Sequence, residues 1–139
     1  MIETSTVFGN DPQYSANPSP AMSDLTLMSA DALSRAIHQK QVSCREVMSA
    51  TLARIERVNP HFNAIVSLRP TDQLLAEADA RDAQLARGES MGWMHGLPQA
   101  PKDLTATAGI PTTQGSLLFK DYVPKSDSII VELVRKQGA

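Results

Sequence analysis

Apolar positions recur at helical spacing in four stretches of this chain, separated by runs of glycine, proline and small polar residues. The first begins at Ser29, where a serine suited to capping precedes Asp31, and Leu33 and Ile37 share one face. The second opens on Ser43-Cys44-Arg45-Glu46, the spacing at which serine and glutamate satisfy each other's backbone donors. Val47, Met48, Thr51, Leu52, Ile55 and Val58 then follow at helical intervals, and Asn59-Pro60 predicts the end, because proline disfavours a helical residue before it. These two helices are expected to form a hairpin. A third helix is predicted over roughly 72–87, with Leu74, Leu75, Ala78 and Leu85 inward and Gly88 as its stop. A fourth, capped by Ser126 or Asp127, would bury Ile129, Ile130, Leu133 and Val134.

Two stretches break this rhythm. Residues 63–68, Asn-Ala-Ile-Val-Ser-Leu, are short, apolar and bounded by turn residues, which predicts a strand. The span from Gly92 to Gly115 has no helical period and is rich in glycine and proline; a short strand near Lys102 and a long connection are expected there. Helices alternating with short strands indicate an α/β class. Residues 1–22 carry Pro12, Pro18 and Pro20 among polar residues, and are expected to be a disordered tail, native or extraneous. The folded unit is expected over 23–139.

Composition narrows the function classes. The 42% apolar content leans on alanine, so the core is modest. Thirteen basic residues against fifteen acidic ones, unclustered, argue against nucleic-acid binding, which needs grouped Lys and Arg. No apolar run approaches a membrane span, and the N-terminus lacks the basic start and apolar run of a secretory signal. A single cysteine, Cys44, cannot form an internal disulfide. A cytoplasmic protein is expected.

The candidate chemistry centres on Lys102, which sits on a mainly uncharged path, Gln99-Ala100-Pro101-Lys102-Asp103-Leu104. A lysine withdrawn from water loses proton affinity and serves as a general base or acid. The residues alone favour a solvated Lys102–Asp103 surface pair over a catalytic lysine. His38, His61 and His95 are far apart in sequence, which gives no support to a zinc site. His95, before Gly96 in a turn, is expected to pack rather than to catalyse. Cys44, at a helix start, reads as a buried structural thiol.

HGLPQAPKDL over 95–104, followed by GIPTTQGS over 109–116, closely resembles the amidase signature family of serine hydrolases. The upstream SADALSRAIHQKQVSCREVMSATLARIERVNPHFNAIVSL and the final SDSIIVELVRKQGA extend that resemblance to about residues 24–139. It implies the N-terminal part of the amidase signature fold: a helical hairpin, short strands and flanking helices of a mixed sheet, incomplete in this chain. It further implies that Lys102 is the general base and acid of a Ser–cis-Ser–Lys triad that hydrolyses carboxylic amides to acid and ammonia or amine, without metal or organic cofactor. Both serines of that triad belong to a Gly/Ser-rich segment absent here, so the chain by itself is expected to be inactive. Asp103 and Ser116 are the supporting candidates, Asp103 buttressing Lys102 or the neighbouring loop, and Ser116 supplying a hydrogen bond or simply fixing its own turn. One departure is local: Pro101 stands where the family carries a branched aliphatic residue, and it cannot donate to a strand ladder.

The implied partner is a small-molecule amide for the full-length protein, with self-association or a homodimer through exposed sheet edges and no nucleic acid or membrane. The alternative is a short non-catalytic binding protein of the same ancestry. A third reading, weaker on the sequence, is part of a tRNA-dependent amidotransferase A-type subunit.

Overall fold

The capping residues read from the sequence set the first two helices. In the computed structural model, which describes residues 25–139, α1 spans Ala30–His38 and α2 spans Cys44–Phe62. The Ser29 hydroxyl accepts from the Ala32 N–H at 3.2 Å. At α2 the reciprocal box is complete: Glu46 N–H donates to the Ser43 hydroxyl at 3.1 Å, and Ser43 N–H donates to the Glu46 carboxylate at 2.8 Å. The next helix, α3, spans Thr71–Ala86; a short 3-10 turn spans Leu117–Phe119, and α4 spans Ile129–Lys136. The tail expected over residues 1–22 lies outside the described residues.

The remaining orphan donors of α2 are met from another helix. Asp82 of α3 accepts from Cys44 N–H at 2.7 Å and from Arg45 N–H at 3.1 Å. Helix N-termini carry partial positive charge, so a carboxylate there satisfies donors and the dipole together. This bridge draws α2 and α3 side by side, and α3, not α1, is the helix packed most closely on α2. α1 joins the same core mainly through Ala36 and Ile37. The core is formed by Leu25, Ile37, Cys44, Val47, Ala50, Ala78 and Leu97, with Leu33, Met48 and Leu85 packed against it.

Several expectations are corrected. α2 does not end at Asn59-Pro60 but runs on to Phe62 and stops at Asn63, which takes the left-handed conformation at φ 48°. Proline costs one intrahelical bond, and Asn59 offsets it: its side-chain amide donates to the Ile65 carbonyl at 3.0 Å while its side-chain oxygen accepts from Ile65 N–H at 2.8 Å. That same pair of bonds removes the strand predicted over 63–68. Ile65 spends both backbone groups on a side chain, no neighbouring strand is present among the described residues, and Val66 and Leu68 are left exposed. The short strand expected near Lys102 is likewise not formed among the described residues. Finally, the N-cap position of α4 is Ser128, not Ser126 or Asp127, and among the described residues the buried Ser128 hydroxyl has no hydrogen-bond partner. The residue of α4 that reaches the interior is Val131; Ile129, Ile130 and Leu133 face outward at 78%, 64% and 56% exposure.

Cys44 is fully buried, and loss of hydration together with the neighbouring Asp82 carboxylate pushes its thiol up to about 12. The dipole of α2 does not win against this. Since only the thiolate alkylates, we expect iodoacetamide at pH 8 to leave the native chain unmodified for hours and to label it fully once urea unfolds it, as read by intact mass.

Candidate active site

Lys102 stands in an irregular stretch between the buried Leu97 and a turn at 103–105, and its side chain is exposed. Its carbonyl accepts from Thr105 N–H at 2.7 Å, which fixes the backbone just after the lysine. Among the described residues its ammonium makes no hydrogen bond or ion pair; Asp103, its neighbour in sequence, faces elsewhere.

Asp103 is the organising residue of this region. Its carboxylate accepts from the Thr113 N–H at 2.8 Å, the Thr113 hydroxyl at 2.6 Å and the Gly115 N–H at 3.3 Å. Its carbonyl accepts from Gln114 N–H at 3.3 Å. Gln114 and Gly115 are both left-handed, at φ 54° and 69°, which turns their amides toward the one residue. Thus the PKDL segment and the PTTQGS segment close into a single loop unit, with Asp103 as its clamp.

The bonds to Thr113, side chain and backbone, hold the Asp103 carboxyl below its ordinary 3.8. A depressed carboxylate stabilises the fold above its unfolded value and loses that contribution as pH falls through the folded value. The Thr113 and Gly115 amide resonances are therefore expected to stay put down to about pH 4 and to shift together below it. Asp103→Ala should give the loosened loop spectrum already at pH 7.

Ser116 lies at the other end of this loop. Its hydroxyl accepts from Leu118 N–H at 3.3 Å and its own N–H donates to the Thr113 carbonyl at 2.9 Å, so it caps the 3-10 turn. Leu117 and Leu118 on that turn are 87% and 91% exposed.

His95 packs, as its turn position suggests, and both ring nitrogens are used. Nδ1 accepts from Met91 N–H at 3.2 Å, which leaves Nε2 to donate to the Arg81 carbonyl at 2.9 Å. This buried ring is sealed by Gly138, whose carbonyl accepts from Gly96 N–H at 2.9 Å. Among the described residues no group of His, Cys, Asp or Glu could hold a metal ion, and no helix is long and apolar enough to cross a membrane.

A cleft of about 840 Å³ opens between α3, the 96–102 segment and α4, with Lys102 on its wall. Leu74, Ala78, Leu97, Ile130 and Val134 give it an apolar lining, and Arg69 and Glu77 pair at its side. Sequence reading missed Thr113 and Asp127 as supports. Asp127 accepts from Ala108 N–H at 2.7 Å and pairs with Arg135 at 3.1 Å, tying α4 to the loop after the lysine. Thr113 lies inside the GIPTTQGS run and Asp127 was read only as a helix cap, so neither was given a supporting role.

The model of the Amidase family matches residues 46–139. The A-type subunit of the glutamyl-tRNA(Gln) amidotransferase of Bdellovibrio bacteriovorus is 39% identical over 115 residues, covering 83% of this chain and 23% of its own length. Among solved structures, the native peptide amidase of Stenotrophomonas maltophilia superposes with a TM-score of 0.74 at 28% identity, over 88% of this chain and 24% of its own. Fatty acid amide hydrolase superposes with a TM-score of 0.79 at 25% identity, over 92% and 22% respectively. The chain therefore spans about a quarter of the length of the relatives it matches.

Proposed function

Because the chain belongs to the amidase signature family, we propose that it forms the N-terminal quarter of an enzyme that hydrolyses carboxylic amides, with Lys102 as its proton carrier. The observation that carries this reading is the Asp103 clamp: it holds the loop over 113–115 against the residue next to the lysine, while leaving the lysine itself uncommitted on the cleft wall.

In this proposal the two triad serines and the rest of the mixed sheet come from the remaining three quarters of the family domain. Lys102 receives a proton relayed through one serine from the other, whose oxygen bonds to the amide carbon. The C–N bond then breaks, the departing nitrogen receives that proton, and water releases the acid from the acyl-enzyme. Ser116 supports the loop by capping its turn, and no metal or organic cofactor takes part. Self-association of the isolated chain would use the surface that the rest of the domain covers.

A second reading is favoured by a glutamyl-tRNA(Gln) amidotransferase subunit among its relatives: the chain would then be part of an A-type subunit of such an enzyme. The test is a chimaera in which residues 25–139 replace the matching segment of the Bdellovibrio protein. Amide turnover by the chimaera, with none from the 139-residue chain alone, is expected. A folded but inert chimaera would remove both readings.

A further inference from the structure

Met28, Met48, Met91 and Met94 are the methionines among the described residues, and their surroundings divide them. Met28, Met48 and Met94 pack against the core. Met91, just before the turn that holds His95, is 37% exposed. Its backbone is fixed, since its N–H donates to His95 Nδ1 at 3.2 Å. A Cβ added to Gly138 would stand 3.0 Å from the Met91 Cβ, so the stem is covered and the exposure belongs to the thioether end.

The sulfur also has a cationic neighbour. Arg81 of α3 donates through Nη1 to the Met91 Sδ, and the same nitrogen donates to the Gln84 side-chain oxygen at 2.9 Å. Gln84 thus steadies the guanidinium against the loop. The Arg81 carbonyl is meanwhile given to His95 Nε2 at 2.9 Å, so one residue ties α3 to both ends of the segment over 91–95. A thioether is a weak acceptor, and this bond contributes little as it stands. A sulfoxide oxygen is polar, and a guanidinium bond to it is charge-assisted.

We propose that Met91 is a site of oxidation by hydrogen peroxide, and that Arg81 receives the sulfoxide oxygen so formed. A lone pair on Sδ attacks one peroxide oxygen, the O–O bond breaks, and the departing hydroxide takes the proton from the transferred oxygen and leaves as water. The sulfur is oxidised and the peroxide reduced, with no further reactant. Peroxide must touch the sulfur, so exposure sets the order among the methionines. The bond from Arg81 occupies one lone pair and leaves the other to react. The flexible, unbranched side chain lets the sulfur step outward while the new oxygen takes its place before Nη1. In a core, sulfoxide formation disrupts packing; at Met91 it exchanges a weak bond for a strong one. The tie between α3 and the 91–95 segment is thereby tightened, not opened.

The experiment treats the 139-residue chain with millimolar hydrogen peroxide and locates each added oxygen by peptide fragmentation. Met91 should oxidise roughly tenfold faster than Met28, Met48 and Met94, and the same order should hold in the chimaera. Oxidation of Met91 at the pace of those three, in either protein, overturns the proposal. Arg81→Gln tests the part given to the guanidinium. With Met91 oxidised, the melting temperature of the wild-type chain should be unchanged or higher, and that of Arg81→Gln should fall by about 4 °C. Equal falls in the two would leave Arg81 no part and overturn the proposal. Met91→Leu should remove the peroxide-dependent shift in both backgrounds. A shift that persists in Met91→Leu belongs to another methionine and overturns it as well.

Discussion

Lys102→Ala in the chimaera should lower amide turnover by roughly 10²–10⁴-fold, the range a positioned general acid–base group supplies, with KM changed little. The lysine and its neighbours divide the labour. Asp103 commits its carboxylate to Thr113 and Gly115, and Thr105 secures the Lys102 carbonyl, so removing the lysine side chain disturbs neither bond set. The loss should therefore appear in kcat and not in the melting temperature. Lys102→Arg makes the comparison sharper. A guanidinium keeps the positive charge but does not deprotonate in proteins, so it should be as inactive as alanine if the role is proton transfer. Recovery of activity by arginine would mean that the position supplies charge alone. Steady-state rates against pH for the three proteins decide between these outcomes.

The second large effect is on stability. Gly96→Ala should destabilise the chain by about 3 kcal/mol, from roughly 1–2 kcal/mol for forcing a side chain into left-handed backbone and a further 1–3 kcal/mol for overpacking. Gly96 sits at φ 76°, and an added Cβ would overlap the Cys44 Sγ and stand 2.9 Å from the Cys44 Cβ. Neither atom can retreat, because Cys44 is fully buried and its N–H is held by Asp82. Gly88→Ala provides the comparison: its φ is 79°, but an added Cβ meets nothing within 4 Å, so only the backbone cost of about 1–2 kcal/mol should be seen. Urea melts of the two variants separate the terms. Equal losses would show that the clash with Cys44 is relieved by movement elsewhere.

The parts of this molecule that could be read from sequence were those decided within one turn of chain. Ser29, the Ser43–Glu46 box and Gly88 each act on atoms three or four residues away, and the structure has the corresponding caps and stop. What escaped reading depended on distant partners. Pro60 ends most helices, but Asn59 reaches forward to Ile65 and carries α2 past it, and that reach consumes the backbone groups the expected strand needed. Residues 129–134 have the period of a buried face, yet Ile129, Ile130 and Leu133 are open to water, because periodicity reports an apolar face without reporting what covers it. At the candidate site the motif drew attention to Lys102 and Asp103. The ten-residue reach from Asp103 to Thr113, which makes a single unit of two loops, has no periodic signature.

Asp82 carries a consequence for the order in which the chain folds. The first two free amides of α2, at Cys44 and Arg45, have their acceptor 38 and 37 residues further along, on α3. Until that part of α3 is made and docked, the start of α2 has only the local Ser43–Glu46 box to hold it. On a ribosome, α2 would thus wait for about forty more residues to emerge before its first turn closes, so the two helices gain stability together.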